Sequence, residues 1–340
     1  MRRHIVVCSL AIVLCAAGLA FGDVFRSGGD RLVMMQNNDG GWDWPLSDRS
    51  PKSSNAPNIL APTSMGLVQA YLSTGDPNQL AALTKAGSYL LSKPPWLITP
   101  DEGYLAVVLD GIFGGTTYTD YVKENFYEPL AAGLYNYLGD GTLLVDTAHY
   151  VAIMRWLRDK QGAPNLAALD CGVGLYAAHL IGADTSVWIA SLKAEINELD
   201  GGDMYDVLGL AGAVLGLASV GADVDPTAGE HAAAGSLADL AGILAGYQLA
   251  TGGFTWNSLN TAEGAENETV QETAFAILAL GEFDCQKYLT NIESAATYLT
   301  SVELPTGGWE NFFGEGENNE VTGESLWALG AAGQIQVDKP

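Results

Sequence analysis

Apolar residues recur at intervals of three and four along almost the whole chain, the spacing that gathers them on one face of an α-helix. β-branched runs bounded by turn residues are scarce. The pattern predicts about thirteen helices and very little strand, over residues 23–35, 62–72, 79–92, 101–113, 119–138, 142–158, 166–181, 185–199, 206–220, 236–249, 270–280, 286–302 and 322–332. Helix breakers separate many of them, among them Gly75-Asp76-Pro77, Lys93-Pro94-Pro95, Gly114-Gly115 and Asp140-Gly141. Two kinds of helix alternate. Segment 79–92 is amphipathic, with Lys85 on its polar side, whereas 62–72 and 206–220 are apolar or small nearly all round. A helix apolar on every side must be enclosed by protein. The expected architecture is therefore all-α, an (α/α)6-type toroid: an inner ring of apolar helices inside an outer ring of amphipathic ones, in roughly six pairs. The count is odd by one, which points to a capping helix at one end or a misread segment between Thr142 and Leu199.

A short motif recurs on this frame. Gln36, Gly40 and Trp42 are repeated as Gln248, Gly252 and Phe254, and again as Glu303, Gly307 and Trp309, with a worn copy at Asn197, Gly201 and Asp203 and another at Leu90 and Trp96. Glu272-Thr273-Ala274-Phe275-Ala276 follows the second copy and Glu324-Ser325-Leu326-Trp327-Ala328 the third. A Gln in the last turn of an outer helix can bond the unpaired carbonyls there. Gly permits the turn away from the helix, and the aromatic fills the gap between repeats. The nine motif residues thus read as structural.

Composition narrows the setting. Met1-Arg2-Arg3-His4 followed by an apolar run to about Phe21 reads as a secretory signal peptide over residues 1–22, leaving a single domain over 23–340 and a secreted or periplasmic protein with no membrane span after cleavage. The formal net charge is −25, two units more negative once Arg2 and Arg3 leave. Such a field excludes nucleic acid and anionic lipid as partners. Cys171 and Cys285 remain after cleavage, and their sequence positions do not settle whether they pair.

The three motif copies resemble the α/α-toroid superfamily of squalene and terpenoid cyclases and protein prenyltransferases, whose Q-x3-G-x-W repeats they match at both ends of the chain. The resemblance implies the toroid and a central cavity. The superfamily's chemical signatures do not follow. The cyclases' D-x-D-D motif is absent, Asp203-Met204-Tyr205-Asp206 being no substitute, and so is the complement thioester Cys-Gly-Glu-Gln. Asp170, Cys171 and His179 carry the atoms of a prenyltransferase zinc site, but adjacent residues of a helix point about 100° apart.

Candidate chemistry is acidic. Glu272 and Glu324 hold equivalent places among inward apolar residues, where a carboxylate costs stability unless something pairs it. With Asp146 and His149 on another inner helix they are the candidate acid and base groups. Trp44, Trp256, Trp156 and Arg155 are candidate ligand contacts. Glu266, Glu268, Glu317 and Glu320, in twin acidic loops, have the oxygen ligands of a calcium site. The expected protein binds or scaffolds a neutral glycan or a small apolar molecule. The alternative is a carbohydrate-active enzyme, a glycoside hydrolase or polysaccharide lyase, working with carboxylates at the rim. A divergent terpenoid cyclase is a more distant reading.

Overall fold

The computed structural model describes residues 22–44, 56, 58–259 and 267–337. Residues 1–21 of the expected signal segment and the calcium candidate Glu266 lie outside the described residues. The described part is all-α, with α1 (Gly22–Met35), α2 (Leu60–Thr74), α3 (Pro77–Ser92), α4 (Glu102–Phe113), α5 (Thr117–Val122), α6 (Glu128–Ala131), α7 (Thr147–Gln161), α8 (Leu166–Ile181), α9 (Ser186–Ile196), α10 (Asp206–Ser219), α11 (Leu237–Gly246), α12 (Val270–Asp284), α13 (Leu289–Ser301) and α14 (Asn319–Val337). A π-turn, Lys123–Tyr127, joins α5 and α6 into one rod. Three two-stranded antiparallel hairpins complete it: β1 (Tyr135–Asn136) with β2 (Leu144–Val145), β3 (Phe254–Thr255) with β4 (Glu268–Thr269), and β5 (Trp309–Glu310) with β6 (Glu317–Asn318). None of the described helices is long and apolar enough to cross a membrane.

The helices close into two rings. Inside, α2, α4, α8, α10, α12 and α14 each pack on the next, and α14 returns to α2. Outside, α1, α3, the α5–α6 rod, α9, α11 and α13 lie against them. The inner helices are small-residue-rich because their backbones nearly touch. A Cβ on Gly66 of α2 would stand 2.3 Å from the carbonyl oxygen of Gly323 in α14, so the seam that closes the ring requires glycine. In α10 every residue from Asp206 to Leu217 is buried, as an enclosed helix demands.

The motif residues build the corners between repeats. Gln36 donates from Nε2 to the Gly40 and Ala82 carbonyls at 2.9 Å each, tying its loop to α3. Gln248 donates to the Gly252 and Asn291 carbonyls at 2.9 and 2.8 Å, tying its loop to α13. Gly40, Gly252 and Gly307 adopt φ of 105°, 97° and 90°, and each packs its bare Cα on a carbonyl of the next outer helix, Lys85, Ser294 and Ser27 respectively. Trp42, Phe254 and Trp309 have no exposed surface. The indoles of Trp42 and Trp309 donate to Leu32 and Leu299 carbonyls at 2.9 and 2.8 Å. In the third copy a carboxylate replaces the amide and has no N–H to give a carbonyl. Glu303 instead accepts from Ser27 Oγ, on α1. The worn copies do not build such corners: Trp96 is 44% exposed, and Asn197 accepts the Thr227 and Ala228 amides.

The extra helix is α7, and two expectations change with it. The helix predicted over 119–138 ends at Ala131, where Gly133 (φ 70°) turns the chain into the β1–β2 hairpin. Segment 142–158, read as an inner helix, is α7, of which only Tyr150 and Val151 are buried. It rests on α8 and α9 from outside the inner ring. The cysteines are both free, Cys171 in the core and Cys285 half-buried.

Candidate functional site

Because outer and inner helices alternate, every outer-to-inner connection falls at one end of the toroid, and the inner helices present their N-terminal turns there. Five of them bring acids to that end: Asp101 and Glu102 at the start of α4, Asp170 in α8, Asp206 in α10, Glu272 in α12, and Glu320 and Glu324 in α14. Acids suit helix N-termini, where free amides and the dipole favour negative charge. Here they are also crowded together and partly removed from water.

Below them the axis is filled. Tyr104 of α4, Tyr176 of α8 and Trp327 of α14 meet with ring centroids 5.0 to 6.3 Å apart. Their rings come from three inner helices and plug the expected central cavity at this level, so the acid-bearing end above them is the candidate mouth.

Glu320 occupies that mouth. It is half-buried there. Trp44, 46% exposed, donates its indole N–H to the Glu320 carboxylate, and the Asn319 side chain fixes the Trp44 loop by donating to the Asp43 carbonyl at 2.8 Å. Burial pushes the Glu320 pKa up to about 7; the Trp44 bond and the Arg158 guanidinium oppose the rise, while Asp101 and Asp170 add to it. Burial likewise raises Asp101. Asp170 accepts two hydrogen bonds from Arg158, at 2.6 and 2.8 Å. Arg158 comes from α7. The supernumerary helix thus delivers a guanidinium to the acidic mouth.

Glu324 and Glu272 lie deeper, 2% and 0% exposed. Gln271, on the neighbouring inner helix, donates from Nε2 to both Glu324 oxygens at 3.2 and 3.0 Å, and its own amide is held by Asn311 Oδ1 at 2.9 Å. Burial, with Glu320 close by, holds Glu324 well above the usual carboxylate range. Glu272 differs: neither of its carboxylate oxygens has a hydrogen-bond partner among the described residues. Thr269 stands beside it, but its hydroxyl points to the Phe254 carbonyl at 3.4 Å. Burial raises Glu272 to about 7.

The other expected residues fall elsewhere. Asp146 is the N-cap of α7, accepting the His149 amide at 2.9 Å, and the two side chains, 47% and 75% exposed, pair outside the inner ring. They are not inward groups, because α7 is not an inner helix. Arg155 does not line a cavity; it is bonded to Glu195 of α9 and to Asp159. Trp156 is 55% exposed, with the Lys160 ammonium over its ring. Trp256 is half-buried in the loop after β3. Of the calcium candidates, Glu317 is taken by Arg31 at 2.5 and 2.8 Å and Glu268 accepts from Thr251 at 2.7 Å. The described residues contain no group of three acids, cysteines or histidines arranged to hold a metal.

Asp101, Arg158 and Tyr205 were not singled out from the sequence, and Asp170 only as a zinc candidate. An acid recurring in the first turns of successive apolar helices is the signal that could have found the two aspartates. Beside the mouth, Glu198, Asp200, Gly201, Gly202, Glu230 and Leu259 line a shallow cleft of about 460 Å³.

No protein-family model matches the chain, nor does any curated protein sequence. Solved structures do, two of them as follows. One is a protein from Actinoplanes, 19% identical over 92% of this chain and 99% of its own, with a TM-score of 0.55. The other is a polysaccharide lyase, 14% identical over 95% of this chain and 98% of its own, also at 0.55. At these identities the likeness is one of fold. The resemblance to the cyclases rests on the repeat motif alone.

Proposed function

We propose that this is an exported carbohydrate-active protein whose acidic mouth takes a neutral glycan and hydrolyses it. The observation that carries the reading is Glu320: a half-buried carboxyl with its pKa pushed up to about 7, bonded to an exposed tryptophan and within electrostatic reach of Asp101, Asp170 and Arg158. An acid with that pKa can donate at neutral pH, and an indole beside it offers the flat apolar face on which a sugar ring stacks. In this reading Glu320 protonates the glycosidic oxygen as the bond to the anomeric carbon breaks. Asp170, held by Arg158, takes the proton from the water that attacks that carbon. A glycan rich in uronates is disfavoured, because its carboxylates would meet those of the mouth and Arg158 is already engaged. The fold likeness to a polysaccharide lyase supports a glycan partner.

A second reading, glycan binding without hydrolysis, is favoured by the Gln271–Glu324 contact, in which a buried acid joins two inner helices as a structural tie would. The experiment that separates them incubates wild type and Glu320→Gln with cello-, xylo-, manno- and malto-hexaose and follows new reducing ends. Hydrolysis by wild type that the Glu320→Gln substitution abolishes supports the enzyme; binding of a hexaose with no cleavage leaves the binding protein.

A further inference from the structure

Tyr205 is the one non-glycine residue with positive φ (66°) among the described residues. A side chain in that left-handed region is strained by contact between its Cβ and the following carbonyl, and strain of this kind persists only where the surroundings impose it. They do so here. Asn165, 2% exposed, donates to the Asp200 and Met204 carbonyls at 2.9 Å each and accepts the Asp200 amide at 3.0 Å. Asn257, 5% exposed, donates to the Gly201 and Asp203 carbonyls at 2.7 Å each. Five hydrogen bonds from two buried amides therefore fix the loop that ends in Tyr205. Glycine would satisfy that backbone without strain, which offsets the partial packing of the ring on the core.

The ring stands among the groups of the mouth. Glu272, Glu315, Arg158 and Glu320 are its charged neighbours, and Glu272 is the fully buried carboxylate that has no partner of its own among the described residues. Tyr205 is half-buried. On the other side, Asp206 accepts the Ser258 amide at 2.9 Å, and Ser258 Oγ donates to Glu230, on the wall of the 460 Å³ cleft, at 2.8 Å. Tyr205 thus stands next in the chain to Asp206, which Ser258 links to the wall of the cleft.

We propose that Tyr205 is a sugar-contacting residue, held in its strained backbone so that its ring supports a pyranose and its hydroxyl meets a sugar hydroxyl between cleft and mouth. This rests on the glycan reading above. The test titrates wild type, Tyr205→Gly, Tyr205→Ala and Tyr205→Phe with the four hexaoses by calorimetry and records the melting temperature of each protein. The expected result is a Tyr205→Gly variant that melts no lower than wild type yet binds the preferred hexaose at least tenfold more weakly, with Tyr205→Phe losing less. Tyr205→Ala, which keeps the loop less mobile, answers the same question if glycine loosens it. Wild-type affinity in both small variants overturns the assignment of Tyr205 while leaving the glycan reading in place. If wild type binds none of the four hexaoses, the glycan reading fails and this proposal with it.

Discussion

Glu102 and Glu272 both stand in the first turn of an inner helix, both have no exposed surface, and burial pushes both up to about 7. Their partners differ. Glu102 receives the buried Lys93 ammonium and the Thr99 amide, at 3.0 Å for the latter, so it joins the 93–99 connection to α4. Glu272 receives nothing from the described residues. A paired buried carboxylate contributes to the corner it ties, whereas an unpaired one only costs the fold. Position in the repeat is therefore a poor guide to role. One carboxylate serves the scaffold, and its counterpart on the opposite side of the ring is tolerated beside the mouth.

The largest effect expected is on the chemistry. Glu320→Gln should lower hydrolysis by about 10²–10⁴-fold, the contribution of a general acid, with no loss of thermal stability. In wild type the rate should fall as pH rises through about 7, because the acid form is the working one and burial sets its pKa there. A rate that climbs through that range removes Glu320 from the acid's role.

The comparison itself is broken by substitution on its paired side. Lys93→Met strands Glu102 in the core and should cost about 3–5 kcal/mol in urea denaturation. On the unpaired side the sign reverses. Below its unfolded pKa, Glu272 is protonated in both states and contributes nothing. Above about 7 it must ionise while buried, which costs the wild type about 3 kcal/mol at roughly 1.36 kcal/mol per pKa unit. Glu272→Gln should therefore add roughly that stability at pH 8 and none at pH 4; equal gains at both pH values would show that packing, not charge, is responsible.

The smallest effect separates the two tryptophans. Trp309→Ala, which opens a cavity at a corner between repeats, should cost about 3–5 kcal/mol. Trp44→Ala, at the exposed rim, should change stability by less than about 0.5 kcal/mol and show itself in weaker glycan binding and in a pH profile shifted upward, because the bond that lowers the Glu320 pKa is lost.

Much of the fold could be read in advance. The alternation of enclosed and amphipathic helices predicts two rings, and Gln36, Gly40 and Trp42 announce a corner whose bonds are all local or to the next helix. The carboxyl at Glu303 already marks a corner that must be tied differently. The site was less legible. Asp146 and His149 look inward only if segment 142–158 is an inner helix. Its polar positions, Arg155, Arg158, Asp159 and Lys160, are those of a helix open to water on one side.

By itself the sequence determined the periodicity, the two kinds of helix and the corners at Gln36 and Gln248, since each depends on residues of one repeat and the next and on burial that hydrophobic spacing declares. Only the tertiary structure decided which acids have partners. Lys93 reaches Glu102 and Arg158 reaches Asp170 across short connections, but Gln271 meets Glu324 from a neighbouring inner helix and Trp44 meets Glu320 only when the two ends of the chain come together. Proton affinity and access follow from those meetings, because desolvation and charge act through space and not along the chain.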